Sequence, residues 1–171
     1  MKKVDVKFAK LNEDAIIPSK TDENAGYDLY ASFKESFMKI PAHETVKIPT
    51  GIASAIEKDY YFQIEERSST GSKGIKKSAG VIDSGYRGEW LVAITNSNDN
   101  DMFIAKEKAI DKLKEAAELL DVNIIIHPYK KAIAQMIIHK VEDTSVNEIS
   151  YEELKEIPSE RKDNGFGSTD K

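Results

Sequence analysis

Residues 78–90 combine a carboxylate, an aromatic ring and glycines in one predicted turn. An apolar pair leads into Asp83, Ser84-Gly85 is a typical turn pair, and an apolar run follows, so the stretch predicts a β-hairpin. The glycines would let a ligand approach the backbone closely, beside Asp83 and the ring of Tyr86. A solvated turn without a ligand is the alternative, and this stretch alone does not decide between them.

Two further polar segments carry groups that suit phosphate oxygens. The turn at 67–74 offers a guanidinium, several hydroxyls, an amine and free backbone N–H groups, although its glycine and lysine spacing is not that of a Walker loop. The C-terminal tail offers a similar set in Arg161, Ser168 and Thr169, with Phe166 able to stack on a ring. A plain surface turn and a disordered terminus are the alternatives.

Short strands account for most of the remaining sequence. Val4 to Leu11 alternates between apolar and polar residues and predicts a first strand. Many short apolar runs separated by turn residues indicate a sandwich or a barrel. The further predicted strands are 25–31, 37–40, 45–48, 51–56, 60–64, 122–127 and 132–141.

One segment has a helical pattern instead. Ile104 to Asp121 is rich in Ala, Glu, Lys and Leu, with apolar residues at steps of three and four, which predicts an amphipathic helix capped by Asp101 or Asn100. The acidic stretch 142–160 is weakly patterned and predicts a connector or an extended arm.

Composition limits the class of protein. The 171 residues suit one domain, and 25 basic against 30 acidic residues give a net charge of −5, which gives no support to direct nucleic-acid binding. Cysteine is absent, so no disulfide or thiolate metal site is expected, and no run of about 20 apolar residues predicts a membrane span. We therefore expect a cytoplasmic protein without a membrane partner.

Taken together and in order, five short motifs resemble those of the trimeric deoxyuridine triphosphatase (dUTPase) family. The third is the most similar to the family pattern, and the set spans nearly the whole chain. The motifs are Ala25-Gly26-Tyr27-Asp28-Leu29-Tyr30-Ala31, Arg67-Ser68-Ser69 through Lys73-Gly74, Gly80-Val81-Ile82-Asp83 with Tyr86-Arg87-Gly88, Ile133-Ala134-Gln135-Met136-Ile137, and Arg161 with Gly165-Phe166-Gly167-Ser168-Thr169.

The resemblance implies hydrolysis of dUTP to dUMP and pyrophosphate with Mg²⁺, which limits uracil incorporation into DNA and supplies dUMP. Asp83 would be the catalytic base that activates a water for attack on the α-phosphate. Asp28 would help to place the metal through water. The implied substrate-binding residues are Tyr86 under the deoxyribose, Gly80 and Val81 at the uracil edge, Arg67, Ser68, Ser69 and Gln135 at the phosphates, and Arg161, Phe166, Gly167, Ser168 and Thr169 in a closing lid.

The same resemblance implies an architecture. It is an all-β domain of distorted jelly-roll or β-barrel type over 1–160, with one inserted α-helix at about 101–121. Residues 161–171 would be a flexible C-terminal lid arm. The family forms homotrimers in which each site takes motifs from all three subunits. Inserts between the third and fourth motifs occur in some phage enzymes of this type.

Several positions depart from the family pattern. Lys130, Lys131 and Ala132 stand where Gly-Asp-Arg usually opens the fourth motif. Gly85 replaces an acid that is common beside the tyrosine. In the tail, Lys162 and Asn164 replace glycines, and Asp170 replaces the final glycine.

Two other functions stay open. A dCTP deaminase has a similar fold and a similar Arg-Ser-Ser turn, but it places a catalytic glutamate where Arg87 stands, and arginine cannot exchange protons there. A regulator could bind a protein partner through 104–121, in addition to catalysis or instead of it. His43, His127 and His139 have no metal-ligand spacing and are expected at surface or half-buried strand positions.

Overall fold

The computed structural model describes residues 3–160, and within this range the chain is mostly β-strand. The prediction of an all-β domain that carries an inserted helix is confirmed. The strands are β1 (Val6–Lys10), β2 (Tyr27–Leu29), β3 (Phe37–Ile40), β4 (Thr45–Pro49), β5 (Ile52–Ile56), β6 (Tyr60–Glu65), β7 (Ile75–Lys77), β8 (Val81–Ile82), β9 (Leu91–Asn96), β10 (Met102–Ala105), β11 (Ile125–Pro128) and β12 (Ala134–Lys140). The helices are α1 (Ser68–Gly71), α2 (Glu107–Leu119) and α3 (Tyr151–Glu156).

The strands form four small sheets, with the orders β1-β5, β11-β10-β3, β2-β12-β6-β8 and β4-β9-β7. All neighbouring strands run antiparallel except β10 and β11, which are parallel. Parallel neighbours require a long crossover connection, which is usually helical, and α2 is that connection. The inserted helix is therefore the middle of a β-α-β unit.

Aromatic side chains fill the centre of the core. Trp90 and Phe62 are fully buried, with ring centroids 4.8 Å apart, and Phe8 packs on both rings. The indole Nε1 of Trp90 donates to Oγ of Ser54 at 3.2 Å, so its polar atom is satisfied inside the core. This packing fixes the chain immediately after the turn that carries Asp83.

The predicted helix from Ile104 to Asp121 is wrong at its start. Met102–Ala105 is strand β10, because Met102 and Ile104 are buried between β3 and β11. The helix begins at Glu107 with Lys106 as N-cap, not Asn100 or Asp101. The Asp101 carboxylate instead accepts from the backbone N–H of Ala42 at 3.0 Å and pairs with Nζ of Lys39 at 2.6 Å.

The predicted hairpin is also wrong as a pairing. β8 pairs with β6, whereas β9 pairs with β4 and β7, so the two strands that flank Asp83 belong to different sheets. The physical reason is that Trp90 enters the core directly after the turn, which carries the chain away from β8. The predicted turn at 67–74 likewise contains one helical turn, α1.

The chain divides into two compact units, Met1–Val141 and Glu142–Lys171. In the second unit, the stretch predicted as a connector or extended arm contains α3. Ser150 caps this helix, since its Oγ accepts from the N–H of Glu153 at 3.1 Å while the Glu153 carboxylate accepts from the N–H of Ser150 at 2.8 Å. The domain over 1–160 with a separate arm stays a prediction. None of the helices within 3–160 is long and apolar enough to cross a membrane.

Candidate active site

A tight turn follows β8 and carries Asp83. The N–H of Tyr86 donates to the carbonyl of Asp83 at 3.0 Å, which closes the turn. The guanidinium Nη1 of Arg87 donates to the carbonyls of Ser84 at 2.6 Å and Tyr86 at 3.0 Å, and to that of Ser54 on β5 at 3.3 Å. One arginine therefore holds the turn in shape and ties it to the neighbouring strand.

The ring of Tyr86 is held against the chain that follows it. Its hydroxyl donates to the carbonyl of Glu89 at 3.0 Å. A Cβ on Gly88 would lie only 2.5 Å from this hydroxyl, so the close approach of the ring requires glycine there. Tyr86 is 44% exposed, so part of its surface stays accessible to solvent or to a ligand.

Gly80 lets the strand before Asp83 lie close to β6. The N–H of Ile64 donates to the carbonyl of Gly80 at 2.7 Å. A Cβ on Gly80 would lie 2.8 Å from the carbonyl oxygen of Ile64 and 2.7 Å from Nε2 of Gln63. The next residue, Val81, is 61% exposed and is free to contact a ligand.

A cavity of about 250 Å³ lies beside this turn. Asp83, Tyr86 and Val81 all line it, which brings together three residues that the sequence singled out. Its apolar walls and few polar groups are typical of a small-molecule site. The lining residues are Lys47, Ala79, Val81, Ile82, Asp83, Tyr86, Glu89, Leu91 and Ala93.

Asp28, Arg67 and Gln135 form a second group. Asp28 on β2 and Gln135 on β12 are register partners, and Arg67 follows the end of β6 on the other side of β12. Nε of Arg67 lies 3.0 Å from Oδ1 of Asp28, with both side chains about one-third exposed. Nε2 of Gln135 donates to the carbonyl of Glu66 at 2.8 Å. Strand pairing thus places a carboxylate, a guanidinium and an amide side by side.

The hydroxyls of the second motif lie next to Arg67. Ser68 and Ser69 are exposed at the start of α1, whereas Thr70 is buried and its Oγ1 donates to the carbonyl of Arg67 at 2.9 Å. The buried threonine fixes the backbone of Arg67, and the two serines remain available to a ligand.

The two groups lie toward opposite ends of β6. Ile82 pairs with Phe62, near the start of β6, and the antiparallel β8 carries Asp83 toward that start. Arg67 follows the other end, five residues after Phe62. Five strand residues span about 17 Å, so Asp83 and Arg67 of one chain do not meet.

Comparison with known proteins decides the family. The sequence model of the dUTPase family matches residues 12–113, which is more than half of the chain. The chain belongs to the dUTPase family. Among curated relatives, the deoxyuridine 5'-triphosphate nucleotidohydrolase of Clostridioides difficile is 35% identical over 169 residues, covering 96% of both chains.

Solved structures show the same fold. A variant of the dUTPase from Staphylococcus bacteriophage 80alpha, solved with dUpNHpp, superposes with a TM-score of 0.72 at 20% identity, covering 96% of this chain and 98% of that one. A variant dUTPase from phage phi11 of S. aureus, whose structure reveals coordination of a structural Mg(II) ion, gives 0.64 at 19% identity and covers 86% and 99%. These structures support the predicted jelly-roll-like architecture. They also support the predicted similarity of this chain to phage dUTPases.

The fourth dUTPase motif departs from the family pattern at three positions with different surroundings. Lys130 and Lys131 are exposed, and Ala132 is buried, with its carbonyl 3.5 Å from Nη1 of Arg67. His127 on β11 is half-buried, as expected, and a ring nitrogen lies 3.3 Å from the carbonyl of Lys131. Burial lowers the pKa of His127, and the positive charges of Lys131 and Arg67 act in the same direction.

Some of the predicted positions lie outside the described residues. They are the lid residues Arg161, Phe166, Gly167, Ser168 and Thr169 and the departures Lys162, Asn164 and Asp170.

Sequence reasoning missed the supporting roles of Arg87 and Glu89 and the place of Lys47. Glu89 Oε1 accepts from the N–H of Gly51 at 2.8 Å, which anchors the far side of the turn. Arg87 lies within the third motif and Glu89 directly follows it, so their nearness to Asp83 along the sequence was a usable signal. Lys47 is 36 residues before Asp83, and only the pairing of β4 with β9 brings it to the cavity.

Proposed function

We propose that this protein is a cytoplasmic dUTP diphosphatase that hydrolyses dUTP to dUMP and pyrophosphate. Membership of the dUTPase family and the name of the Clostridioides difficile relative support this activity. The observation that carries the proposal is the cavity shared by the carboxylate of Asp83 and the ring of Tyr86, on a turn that Arg87 holds rigid.

Asp83 is the catalytic base of the proposal. It orients a water molecule and accepts its proton as the water oxygen attacks the α-phosphorus and the bond to the β-phosphate oxygen breaks. Holding the base in a fixed position relative to the water and the phosphate contributes much of the rate of such a reaction. The hydrogen-bonded turn holds Asp83 in place here. The products are dUMP and pyrophosphate.

The nucleoside binds at the same turn. Tyr86 packs under the deoxyribose, where a ribose 2′-hydroxyl would clash. The backbone at Gly80 and Val81 reads the uracil edge, and a close fit of the base against it excludes the methyl group of thymine. The close contact between Gly80 and β6 supports this assignment, because it fixes the backbone groups that would form the hydrogen bonds.

Arg67, Ser68, Ser69 and Gln135 bind the phosphates. The donors are those that phosphate oxygens favour. Nε of Arg67 pairs with Asp28 and Nη1 lies 3.5 Å from the carbonyl of Ala132, so Nη2 is the guanidinium nitrogen that donates to phosphate in this proposal. Within 3–160, no group of three or more His, Cys, Asp or Glu could hold a metal, but the exposed part of the Asp28 carboxylate suits Mg²⁺ that is bound mainly by water and substrate phosphates. Bound Mg²⁺ would neutralise charge on the phosphate oxygens, and Asp28 would hold it through water.

A homotrimer with shared sites completes the proposal. About 17 Å of strand separates Asp83 from Arg67 in one chain. The two residues of one chain are therefore too far apart to hold the two ends of one compact substrate. A neighbouring subunit that brings its own Arg67 group to Asp83 would supply the missing end. The lid residues Arg161, Phe166, Gly167, Ser168 and Thr169 would come from a further subunit and cover the base and the γ-phosphate.

The experiment is a pyrophosphate-release assay on the full chain over dUTP, dTTP, dCTP and UTP, with and without Mg²⁺. We expect Mg²⁺-dependent turnover of dUTP and little turnover of the others. Ammonia release from dCTP would instead support the deaminase alternative, although Arg87 is already committed to three backbone carbonyls. Light scattering of the same sample tests the trimer.

A second candidate function is binding of a protein partner through 104–121. The observation that favours it is the exposure of Leu119 (87%) and Leu120 (69%) at the end of α2. Deleting the whole segment would remove part of β10, so the test is Leu119→Ser with Leu120→Ser in a pull-down. Unchanged capture of a partner by this variant would contradict the docking role.

A further inference from the structure

A lysine outside every motif of the family pattern lines the cavity that holds Asp83 and Tyr86. Lys47 lies in the middle of β4, where its register partner is Ala93 of β9, which also lines the cavity. Lys47 is exposed, and among residues 3–160 its ammonium has no hydrogen-bond or ion-pair partner. A cation that is held on a paired strand and left without a partner is available to a ligand.

The other polar side chains of the cavity already form hydrogen bonds within the protein or are assigned to the attacking water. The hydroxyl of Tyr86 donates to the carbonyl of Glu89, and Glu89 Oε1 accepts from Gly51. Asp83 is an acceptor and is assigned to the water. Lys47 is therefore the side chain that can offer free hydrogen-bond donors to a bound nucleoside.

The surroundings of Lys47 favour contact with the base over contact with the phosphates. Val81, Ile82, Leu91 and Ala93 give the cavity apolar walls that suit a flat ring. Lys47 thus shares these walls with Val81, which the proposed function assigns to the uracil edge.

We propose that Lys47 donates a hydrogen bond to the O4 carbonyl of uracil and so favours uracil over cytosine. An ammonium has only donors, and it pairs with a carbonyl at position 4 of a pyrimidine. Cytosine carries an amino group there, which is also a donor, so both groups would be left unpaired. This inference rests on the proposed function, which it extends to the choice of base.

The test compares Lys47→Met and Lys47→Arg with the unchanged protein. Methionine keeps the length of the stem and removes the donor, whereas arginine restores a donor. Lys112→Met, on the exposed face of α2, removes the same charge far from the cavity and is the matched control. The measurements are kcat/KM for dUTP and dCTP, and the Kd of deoxyuridine, which has no phosphate.

We expect Lys47→Met to lower the ratio of kcat/KM for dUTP to that for dCTP at least about tenfold, the usual effect of one hydrogen bond to a charged group. Deoxyuridine affinity should fall by a similar factor. Lys47→Arg should recover part of both, and Lys112→Met should change neither.

An unchanged dUTP to dCTP ratio in Lys47→Met would overturn the inference while leaving dUTP hydrolysis standing. A loss seen with dUTP but not with deoxyuridine would also overturn it, because the lysine would then act on phosphate. If the unchanged protein did not hydrolyse dUTP at all, the proposed function itself would fail. A thermal melt of each variant separates these outcomes from unfolding.

Discussion

Nε of Arg67 lies 3.0 Å from Oδ1 of Asp28, and this ion pair joins the end of β6 to β2 across β12. Both side chains are about one-third exposed, so the pair contributes little to stability in water. Its effect is on orientation. Asp28 holds Nε of the guanidinium, and Nη1 lies 3.5 Å from the carbonyl of Ala132. In the proposed site, Nη2 would donate to phosphate, and the second carboxylate oxygen of Asp28 would accept from a metal-bound water.

Asp28→Asn should therefore weaken the use of Mg²⁺ more than the folding of the protein. Loss of an outer ligand commonly reduces metal affinity by about 10- to 100-fold, so the Mg²⁺ concentration for half-maximal dUTP turnover should rise by at least about tenfold. Asp111→Asn, on the exposed side of α2, is the matched control and should leave it unchanged. Equal Mg²⁺ dependence in the two variants would contradict the role of Asp28.

Asp83→Asn should remove turnover without removing binding. Asparagine keeps the shape of the side chain but cannot accept the proton, and loss of a general base costs about 10²- to 10⁴-fold in rate. We expect kcat for dUTP to fall by at least about 100-fold, while the Kd of a dUTP analogue with a non-hydrolysable α–β link stays close to that of the unchanged protein. Full activity in Asp83→Asn would end the assignment of the base.

The third motif shows how far the sequence leads. The types and order of Asp83, Tyr86 and Gly88 predicted a rigid turn beside a ligand, and the structure has them on one turn beside one cavity. The pairing partner of β8 was not predictable, because the types of residues 81–82 and 90–94 suit pairing with each other in a hairpin as well as they suit pairing with other strands. The burial of Trp90, a long-range packing effect, decides against that pairing.

The second group and the helix show the same limit. Asp28, Arg67 and Gln135 could be selected from motifs, but their contact depends on the order β2-β12-β6, which no local pattern reveals. Ile104 and Ala105 continue the apolar spacing of α2, so the predicted helix begins at Ile104, although pairing with β3 and β11 makes Met102–Ala105 a strand. By contrast, the capping box at Ser150 and Glu153 is a local sequence pattern that predicts the start of α3.

Arg87→Met should loosen the turn that carries Asp83. It removes the guanidinium that donates to the carbonyls of Ser84, Tyr86 and Ser54. Small displacements of a catalytic group cost about 100-fold, so kcat should fall by about 10- to 100-fold, and KM should change less. Arg87→Lys keeps one charged donor and should recover part of kcat. Steady-state kinetics measures both, and a loss confined to KM would contradict a positioning role.

Two glycines near the site should respond differently to alanine. Gly80→Ala places a Cβ 2.8 Å from the carbonyl oxygen of Ile64, so backbone must move, and we expect a loss of about 1–3 kcal/mol in unfolding free energy. At Gly85 no atom lies within 4 Å of the added Cβ, and Gly85→Ala should keep or slightly raise stability, by up to about 1 kcal/mol. Urea unfolding measures both variants. Equal destabilisation by the two would contradict the close packing assigned to Gly80.

His127 should make stability depend on pH below neutrality. Burial is the main cause that holds its pKa below the ordinary 6.5, so the folded protein keeps the ring neutral where the unfolded chain already binds a proton. Stability from this group is complete above pH 6.5 and is lost as the pH falls through the lowered pKa. The slope for one proton is at most about 1.4 kcal/mol per pH unit, and less for a half-buried ring.

The measurement is the urea unfolding free energy of the unchanged protein and of His127→Gln from pH 7 down to about pH 3, with the contribution of His127 compared between about pH 7 and pH 5. Glutamine can still hydrogen-bond to the Lys131 carbonyl but does not titrate, so its curve should be flatter in this range. Asp101 provides an internal control at lower pH. Its hydrogen bonds from Lys39 and from the N–H of Ala42 lower its pKa below 3.8, so its contribution is present above pH 3.8 and is lost only as the pH falls further. Both proteins should therefore lose stability together below pH 3.8, whereas parallel curves between pH 7 and pH 5 would show that His127 is not the group that titrates.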